Sequence, residues 1–323
     1  MEHFSLNILG SSSAIPLANR SPTAQFLSMA DHYFLIDCGE GTQVKIRQHN
    51  IGLSRIEHIL ISHLHGDHFY GLVPLLTSLS LLERKKAVHV YGPPALEEGI
   101  KQILALSGSE LNYPLHFHPT DPTVKTLIFE SNRIEVYSFP LSHGIDCTGF
   151  YFKEKRGPRK VIKSRIQSLK LSVPEIRALK DGKDITSSEG EVIPNESLTT
   201  PPNEPFSYAF CSDTQLIKHL HRYFKETDLL YHEATFTEEF RSRALKTKHS
   251  TAKDAAHIAK ITETKHLLIG HFSIRYKNFE QLLSEAQENF AESYIAKEGC
   301  VYRMKRKSRE LEFEKVIPDY PAH

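Results

Sequence analysis

Short apolar runs recur along the chain, and most of them stop at a polar loop that carries a histidine or an aspartate. Residues 4–8 alternate apolar and polar, which predicts a strand halted by Gly10 and three serines. Residues 25–29 and 32–36 predict a strand pair about an Ala30-Asp31 turn. A polar turn with two glycines then leads into a helix at 43–49, and the apolar run 58–62 reads as a buried strand. A helix over 70–82 and a strand at 88–91 follow, and Pro93-Pro94 opens a helix running towards Leu106. Residues 127–130 and 133–139 read as paired strands about Ser131-Asn132. Further strands are expected at 150–152, 207–211, 227–231 and 265–269, and helices at 214–224, 252–262 and 279–290. The chain closes with a strand and a basic tail at 303–309. Loops rich in metal-binding side chains meet only if these strands end on one edge. Packed sheets with helices on their outer faces satisfy that, giving a four-layer α/β sandwich.

The chemistry concentrates after the strand at 58–62. His63-Leu64-His65-Gly66-Asp67-His68 packs four metal ligands into six positions, and imidazole with carboxylate suits zinc or a similar divalent ion. His63 and His65 can point into one cavity from a tight loop, while Asp67 and His68 can serve a second ion from a helix start. Three further loops repeat the theme just past strands. His143 is an ordinary loop residue taken alone and a ligand when joined to the first cluster. Asp213 either caps a following helix or bridges two ions, and His271 follows the last buried strand. The histidines at 58, 116, 118, 219, 221, 257 and 266 belong to no motif and read as solvated or packed side chains.

Composition adds limits. The chain has 323 residues, enough for one large domain or two ordinary ones, and 40% of them are hydrophobic, which is ample for a core. A net charge of +1 supplies no global attraction to nucleic acid, so a polyanion has to be met by local basic patches. One such patch exists: residues 153–184 hold eleven Lys or Arg against four Asp or Glu, punctuated by Gly157-Pro158 and Pro174. This stretch reads as an inserted arm, serving either as a solvated basic face or as a grip on a phosphate backbone. Residues 187–205, rich in Ser, Thr and Pro, return the chain to the body as a loop. Four scattered cysteines without C-x-x-C spacing suggest reduced thiols. No leader or membrane span is visible at the N-terminus or elsewhere, so the cytoplasm is the expected location.

The order His63-x-His65-x-Asp67-His68, His143, Asp213, His271 resembles the metallo-β-lactamase superfamily. The blocks Asp37-Cys38-Gly39-Glu40-Gly41-Thr42-Gln43, His232-Glu233-Ala234-Thr235, His249-Ser250-Thr251 and His271-Phe272-Ser273-x-Arg275-Tyr276 are more specific. They resemble ribonuclease Z, the family of tRNA 3′-processing endonucleases, over nearly the full length. That resemblance implies an αββα metallo-β-lactamase sandwich with a protruding tRNA-binding arm at about 153–192. It also implies two zinc ions per subunit, one on His63, His65 and His143, the other on Asp67, His68 and His271, with Asp213 shared. A homodimer is implied in which one subunit's arm grips tRNA cut by the other. Lys155, Arg156, Arg159, Lys160 and Arg275 are the expected substrate contacts, and neither membrane nor DNA is an expected partner.

The expected reaction is hydrolysis of the precursor tRNA backbone, leaving a 3′-hydroxyl on the tRNA and a 5′-phosphate on the trailer. Asp67 would orient and deprotonate the attacking water. By resemblance His249, held by Glu233, would protonate the leaving oxygen, whereas His232 would be structural. The competing readings are a two-zinc hydrolase of a small phosphodiester or other ester, and a silent RNA-binding subunit on the same scaffold. The second expects lost ligands, and all seven positions are filled.

Overall fold

A computed structural model of the chain describes residues 4–187 and 189–317. Residues 1–3, read above for a leader, lie outside the described residues. The chain divides into two compact units, Met1–Lys153 with Phe206–His323, and Glu154–Pro205.

The first unit begins with the strands β1 (Phe4–Gly10), β2 (Ala24–Met29), β3 (His32–Ile36), β4 (His58–Leu60), β5 (Val88–Gly92) and β6 (Leu115–Pro119). Next come β7 (Thr126–Glu130), β8 (Ile134–Pro140) and β9 (Thr148–Glu154). The second unit contributes the short strands β10 (Lys160–Val161), β11 (Ile185–Thr186), β12 (Val192–Ile193) and β13 (Thr199–Thr200). The first unit resumes with β14 (Ser207–Cys211), β15 (Leu229–Glu233), β16 (His266–Gly270), β17 (Ser293–Ile295), β18 (Cys300–Met304) and β19 (Leu311–Lys315). Among the described residues these form an eight-stranded sheet ordered β19-β18-β1-β2-β3-β4-β5-β6 and a seven-stranded sheet ordered β17-β16-β15-β14-β9-β8-β7.

The β2–β3 hairpin turns on Ala30 and Asp31, both at positive φ (53° and 64°), the left-handed pair that a two-residue hairpin loop demands. From β3 to β6 the pairing is parallel, so the crossovers α1 (Thr42–Gln48), α2 (Gly66–Phe69), α3 (Leu72–Leu81) and α4 (Ala95–Leu106) lie between successive strands. Period-two alternation then sorts the side chains. Leu60 joins the cluster that fills the space between the sheets, while Ile59 and Ile61 join the cluster that includes Leu72, Leu76 and Ile100 of the helices. Each such burial contributes about 1.5–3 kcal/mol. Between the sheets the rings interlock, Phe34 meeting Phe152 edge-on at 5.1 Å and Phe210 stacking on Tyr231 at 5.0 Å. Beyond the second sheet lie α8 (Arg241–Thr247), α9 (Ala252–Ile261) and α10 (Glu280–Gln287), numbered after α5 to α7 of the second unit. The α9 helix is started by a capping box between Thr251 and Asp254 and packs alanines (Ala252, Ala255, Ala256, Ala259) in the cluster that also holds Leu267 and Ile269.

The second unit has α5 (Lys163–Ser168), α6 (Val173–Lys180) and α7 (Asn195–Leu198) and its own small core of Leu179, Ile185 and Leu198. Ser172 and Glu175 form a capping box on α6, with Pro174 in its first turn. Asn195 ties the unit together by donating to the carbonyls of Leu179 (2.8 Å) and Lys183 (2.9 Å).

Three expectations, and some omissions, differ from the structure. The unit runs to Pro205, because residues 187–205 supply β12, α7 and β13 rather than a bare returning loop. No α-helix occupies 214–224, where only a 3-10 turn at Leu220–Arg222 forms. The carbonyls a helix would use first are taken: Thr214 O accepts from Ser250 Oγ (2.6 Å) and Gln215 O from Thr214 Oγ1 (2.9 Å). The basic tail is the turn of the β18–β19 hairpin, with Arg303 on Glu314 (2.6 Å) and Lys305 on Glu312 (2.5 Å). Strand β6 was not anticipated, since Leu115-His116-Phe117-His118 is too short and too polar to stand out.

Candidate metal centre

The parallel strands of both sheets deliver loops at their carboxyl ends, where open α/β sheets characteristically bind ligands. The path of β4 continues with Ile61 N donating to Tyr91 O (2.7 Å), and its exit loop carries His63 and His65 before α2 presents Asp67 and His68. His143 sits on the β8–β9 loop, Asp213 just past β14, Glu233 at the end of β15 and His271 just past β16. Gly270 permits the last placement, because a Cβ there would lie 2.4 Å from Tyr231 Oη on the neighbouring strand. His271 itself holds φ at 59°, a left-handed geometry rare for a non-glycine residue and one that clusters at functional sites.

The seven ligands expected from sequence all converge. His63 Nε2 lies 3.1 Å from His65 Nδ1, and His143 Nε2 lies 3.2 Å from that same atom. His271 Nε2 lies 3.4 Å from Asp67 Oδ2. Asp213 stands between the two groups and divides its oxygens. Its Oδ2 faces His63 (3.6 Å) and His143 (3.7 Å), and its Oδ1 faces His68 (3.5 Å) and His271 (3.2 Å). His63, His65, His143 and Asp213 form one set that could hold a metal ion, and Asp67, His68 and His271 another.

Outer partners fix the rings. His68 Nδ1 donates to Asp37 Oδ2 (2.7 Å), and His143 Nδ1 donates to the Lys248 carbonyl (3.0 Å). Ser62 Oγ donates to Asp37 Oδ2 (3.0 Å) and so accepts from His63 Nδ1 (3.0 Å). Each bond directs the other nitrogen of its ring into the centre, the orientation that metal-bound imidazoles require. Asp67 is steadied by the Ala14 amide, which donates to its Oδ2 at 2.7 Å.

The donor set fits a divalent cation. His68 Nε2 and Asp213 Oδ1 are buried, 3.5 Å apart, and neither has a hydrogen-bond partner among the described residues, an arrangement that a shared cation would satisfy. Burial opposes charge on His68, yet Asp213, Asp37 and Asp67 outweigh it and raise its pKa well above the ordinary histidine value. Burial likewise works against the Asp213 carboxylate, and the imidazoles of His271, His68 and His249 overcome it, holding that carboxyl well below its usual range. The site thus favours positive charge among its carboxylates. Imidazole and carboxylate donors without thiolate suit zinc, and also manganese or iron. Burial pushes the neighbouring Cys147 thiol well up, and all four cysteines are free and buried.

Beside the centre, His249 Nδ1 donates to Glu233 Oε1 at 2.8 Å, and Glu233 is fully buried. The same carboxylate accepts the Thr214 amide (2.9 Å) on Oε1 and the Thr235 hydroxyl (2.7 Å) on Oε2. Burial disfavours a charged His249, but Glu233 and then Asp213 overcome it and raise its pKa to about 9. His232 is buried behind the site, its Nδ1 donating to the Glu233 carbonyl at 2.7 Å.

A cavity of about 980 Å³ is lined by His65, Asp67, His249 and His271 together with Tyr70, Arg243 and Arg275. The Arg275 guanidinium lies over the Phe240 ring at 4.2 Å and donates from Nε to Ser273 Oγ at 3.2 Å. The other expected substrate contacts belong to the second unit. There Arg156 pairs with Glu204 (2.8 Å), Arg159 donates to Thr199 Oγ1 (2.7 Å) and Lys160 bonds Asn203; Lys155 lies on the same segment.

Sequence reasoning did not assign roles to Asp37, Ser62, Thr235 or the Lys248 carbonyl. Asp37 carried a signal, a carboxylate just past a strand like the other ligand loops. A backbone carbonyl carries none.

Residues 4–153 match a family model described as Anti-Pycsar protein Apyc1. A ribonuclease Z of Bacteroides thetaiotaomicron is 41% identical over 302 residues, covering 93% of this chain and 96% of that protein. Among solved structures, the short form of human tRNase Z aligns over 92% of this chain and 98% of its own, with a TM-score of 0.68 and 26% identity. The metallo-beta-lactamase fold protein YhfI of Bacillus subtilis aligns over 94% of this chain and 100% of its own, with a TM-score of 0.66 and 16% identity, a likeness of fold.

Proposed function

The chain belongs to the ribonuclease Z family and is a tRNA 3′-processing endoribonuclease, and from that premise we propose that it removes the trailer with two zinc ions per chain. The products of this reading are a 3′-hydroxyl on the tRNA and a 5′-phosphate on the trailer. The observation that carries it is the division of Asp213, one oxygen towards each ligand set.

His63, His65 and His143 would hold one ion, Asp67, His68 and His271 the other, with Asp213 common to both. Ions held there would supply charge neutralisation at the scissile phosphate and acidify the attacking water. Asp67, which accepts the Ala14 amide, would orient that water and take its proton. As water attacks phosphorus, the bond to O3′ breaks, and His249 donates a proton from Nε2 to that oxygen. Glu233 keeps the proton on Nδ1 and favours the charged ring, so His249 enters the step as an acid. Arg275, stacked on Phe240 and lining the cavity, would meet a phosphate of the bound strand.

The reading extends to the rest of the molecule. The basic unit would grip the tRNA backbone through Lys155, Arg156, Arg159 and Lys160, acting across a homodimer on tRNA cut by the partner. Its setting would be the cytoplasm. No helix among the described residues is long and apolar enough to cross a membrane.

The test is incubation with a trailer-bearing precursor tRNA, mapping the cut and both new ends, alongside a chromogenic phosphodiester. Preferential cleavage at the 3′ end of the acceptor stem with the stated termini is expected. Hydrolysis of the small ester with indifference to tRNA structure would overturn the reading in favour of a small-molecule phosphodiesterase.

A further inference from the structure

Histidines that the candidate centre does not use come together on one face of the larger sheet. His58 of β4 pairs in register with His89 of β5, and His89 with His116 of β6; one step further along, Tyr91 pairs with His118. Period-two alternation puts all of these side chains on the same face. The rings lie near-parallel, His58 on His89 at 5.5 Å, His89 on His116 at 5.1 Å and Tyr91 on His118 at 4.6 Å. Of the four histidines only His58 is buried, with Tyr91 buried beside it, and β6 is the sheet's edge strand, so the row runs outward to solvent.

Within the row two nitrogens converge. His89 Nδ1 and His118 Nε2, both on half-buried rings, are 3.0 Å apart. Two imidazoles bound to one ion at about 2.0–2.1 Å have their nitrogens roughly 2.8–3.4 Å apart for bond angles between square and tetrahedral. The pair therefore already has the bite of a bidentate ligand, and a single shared N–H proton spans it when no ion does. His116 stands beside His89 as a further imidazole of the same row.

We infer that His89 and His118 form an accessory binding site for a late first-row divalent ion such as Ni²⁺, Cu²⁺ or Zn²⁺, distinct from the candidate catalytic centre. Nitrogen-only donors with water completing the coordination favour that end of the transition series over calcium or magnesium. Burial, His118 and His116 lower the pKa of His89, and burial and His116 lower that of His118, which keeps both rings in the neutral form that binds metal. The site is remote from the chemistry. His89 sits opposite His58 at the start of β4, while the ligand loop begins five residues on, roughly 16 Å along an extended chain.

The experiment uses the full chain with its catalytic centre loaded with zinc, titrated with Ni²⁺ by calorimetry while released zinc is measured. One additional Ni²⁺ per chain is expected without zinc release. His118→Gln, and His118→Tyr with a ring kept on Tyr91, should weaken it beyond the roughly 10–100-fold typical of losing even an outer partner of a metal site. Precursor-tRNA cleavage without added Ni²⁺ should be unchanged in both. Uptake matched by zinc release, uptake equal in the variants, or none below millimolar Ni²⁺ would each overturn the site. If the variants do not fold, trace Cu²⁺ added to the unaltered protein decides: the His89 and His118 ring resonances should broaden first, and broadening confined to other histidines overturns the site.

Discussion

The Thr235 hydroxyl lies 2.9 Å from His271 Nδ1 while donating to Glu233 Oε2 at 2.7 Å. One side chain therefore links an expected metal ligand to the carboxylate that orients the expected acid. With its proton committed to Glu233, the hydroxyl accepts from His271 and leaves His271 Nε2 as the lone pair facing Asp213. Thr235→Val keeps the shape and removes the link. Metal affinity is expected to fall by about 10–100-fold, measured by chelator competition, with near-native unfolding of the metal-free protein. Unchanged affinity would show that Thr235 does not orient the ligand.

His249 and Glu233 should separate chemistry from metal binding. His249→Ala is expected to cost on the order of 10²–10⁴-fold in turnover on precursor tRNA, with metal content unchanged. Asp213, His249 and His271 also lie close enough to share an ion, so loss of metal from this variant would make His249 a ligand and not the acid.

Removing metal should also loosen the fold. The carboxylates of the centre are crowded and buried, and binding to the folded state alone stabilises it by about 4 kcal/mol at a thousandfold excess over Kd. Treatment with a chelator is expected to abolish cleavage and lower Tm, with both restored by zinc. Cleavage that persists after metal analysis reads zero would remove the two-ion mechanism.

Gly270→Ala tests the packing beneath the ligands. The new Cβ would sit 2.4–2.7 Å from the Tyr231 ring and hydroxyl, an overlap that costs about 1–3 kcal/mol in a tight core. Strands β15 and β16 carry Glu233 and His271 at their ends, so turnover should fall with the urea midpoint. A variant with native stability would mean that Tyr231 can move aside.

Acid should destabilise the protein before its carboxylates titrate. Burial, then His89, His32 and His118, lower the pKa of His58 to about 4, and burial, then Lys45, does the same for His49. Between pH 6.5 and 4 these two rings bind more protons in the unfolded chain than in the folded one, so their contribution to stability is full above pH 6.5 and declines as the pH falls towards 4. For His58 the fall from 6.5 to about 4 corresponds to roughly 3 kcal/mol. His58→Phe, which keeps a ring in place, should flatten the dependence of urea stability on pH over that window. An unaltered slope would place the effect elsewhere.

The primary sequence on its own marked most of the long strands, the loops that end them and the seven side chains expected as ligands. Those signals are local: apolar alternation marks a strand, and closely spaced imidazoles and carboxylates stand out from any neutral surface loop. The hairpin turning at Ala30-Asp31 was equally legible. What only the tertiary structure decided was pairing at a distance. It set which oxygen of Asp213 faces which ligand group, how Asp37 reaches His68, and how the Lys248 carbonyl fixes His143. It denied a helix at 214–224 by spending two carbonyls on hydroxyls, one of them Ser250, far along the chain. It also drew His89 and His118 together from strands with no motif between them. A strand's residues declare its period, but its neighbour and register come from the whole packed sheet, and the lone pairs that meet across strands follow from that packing.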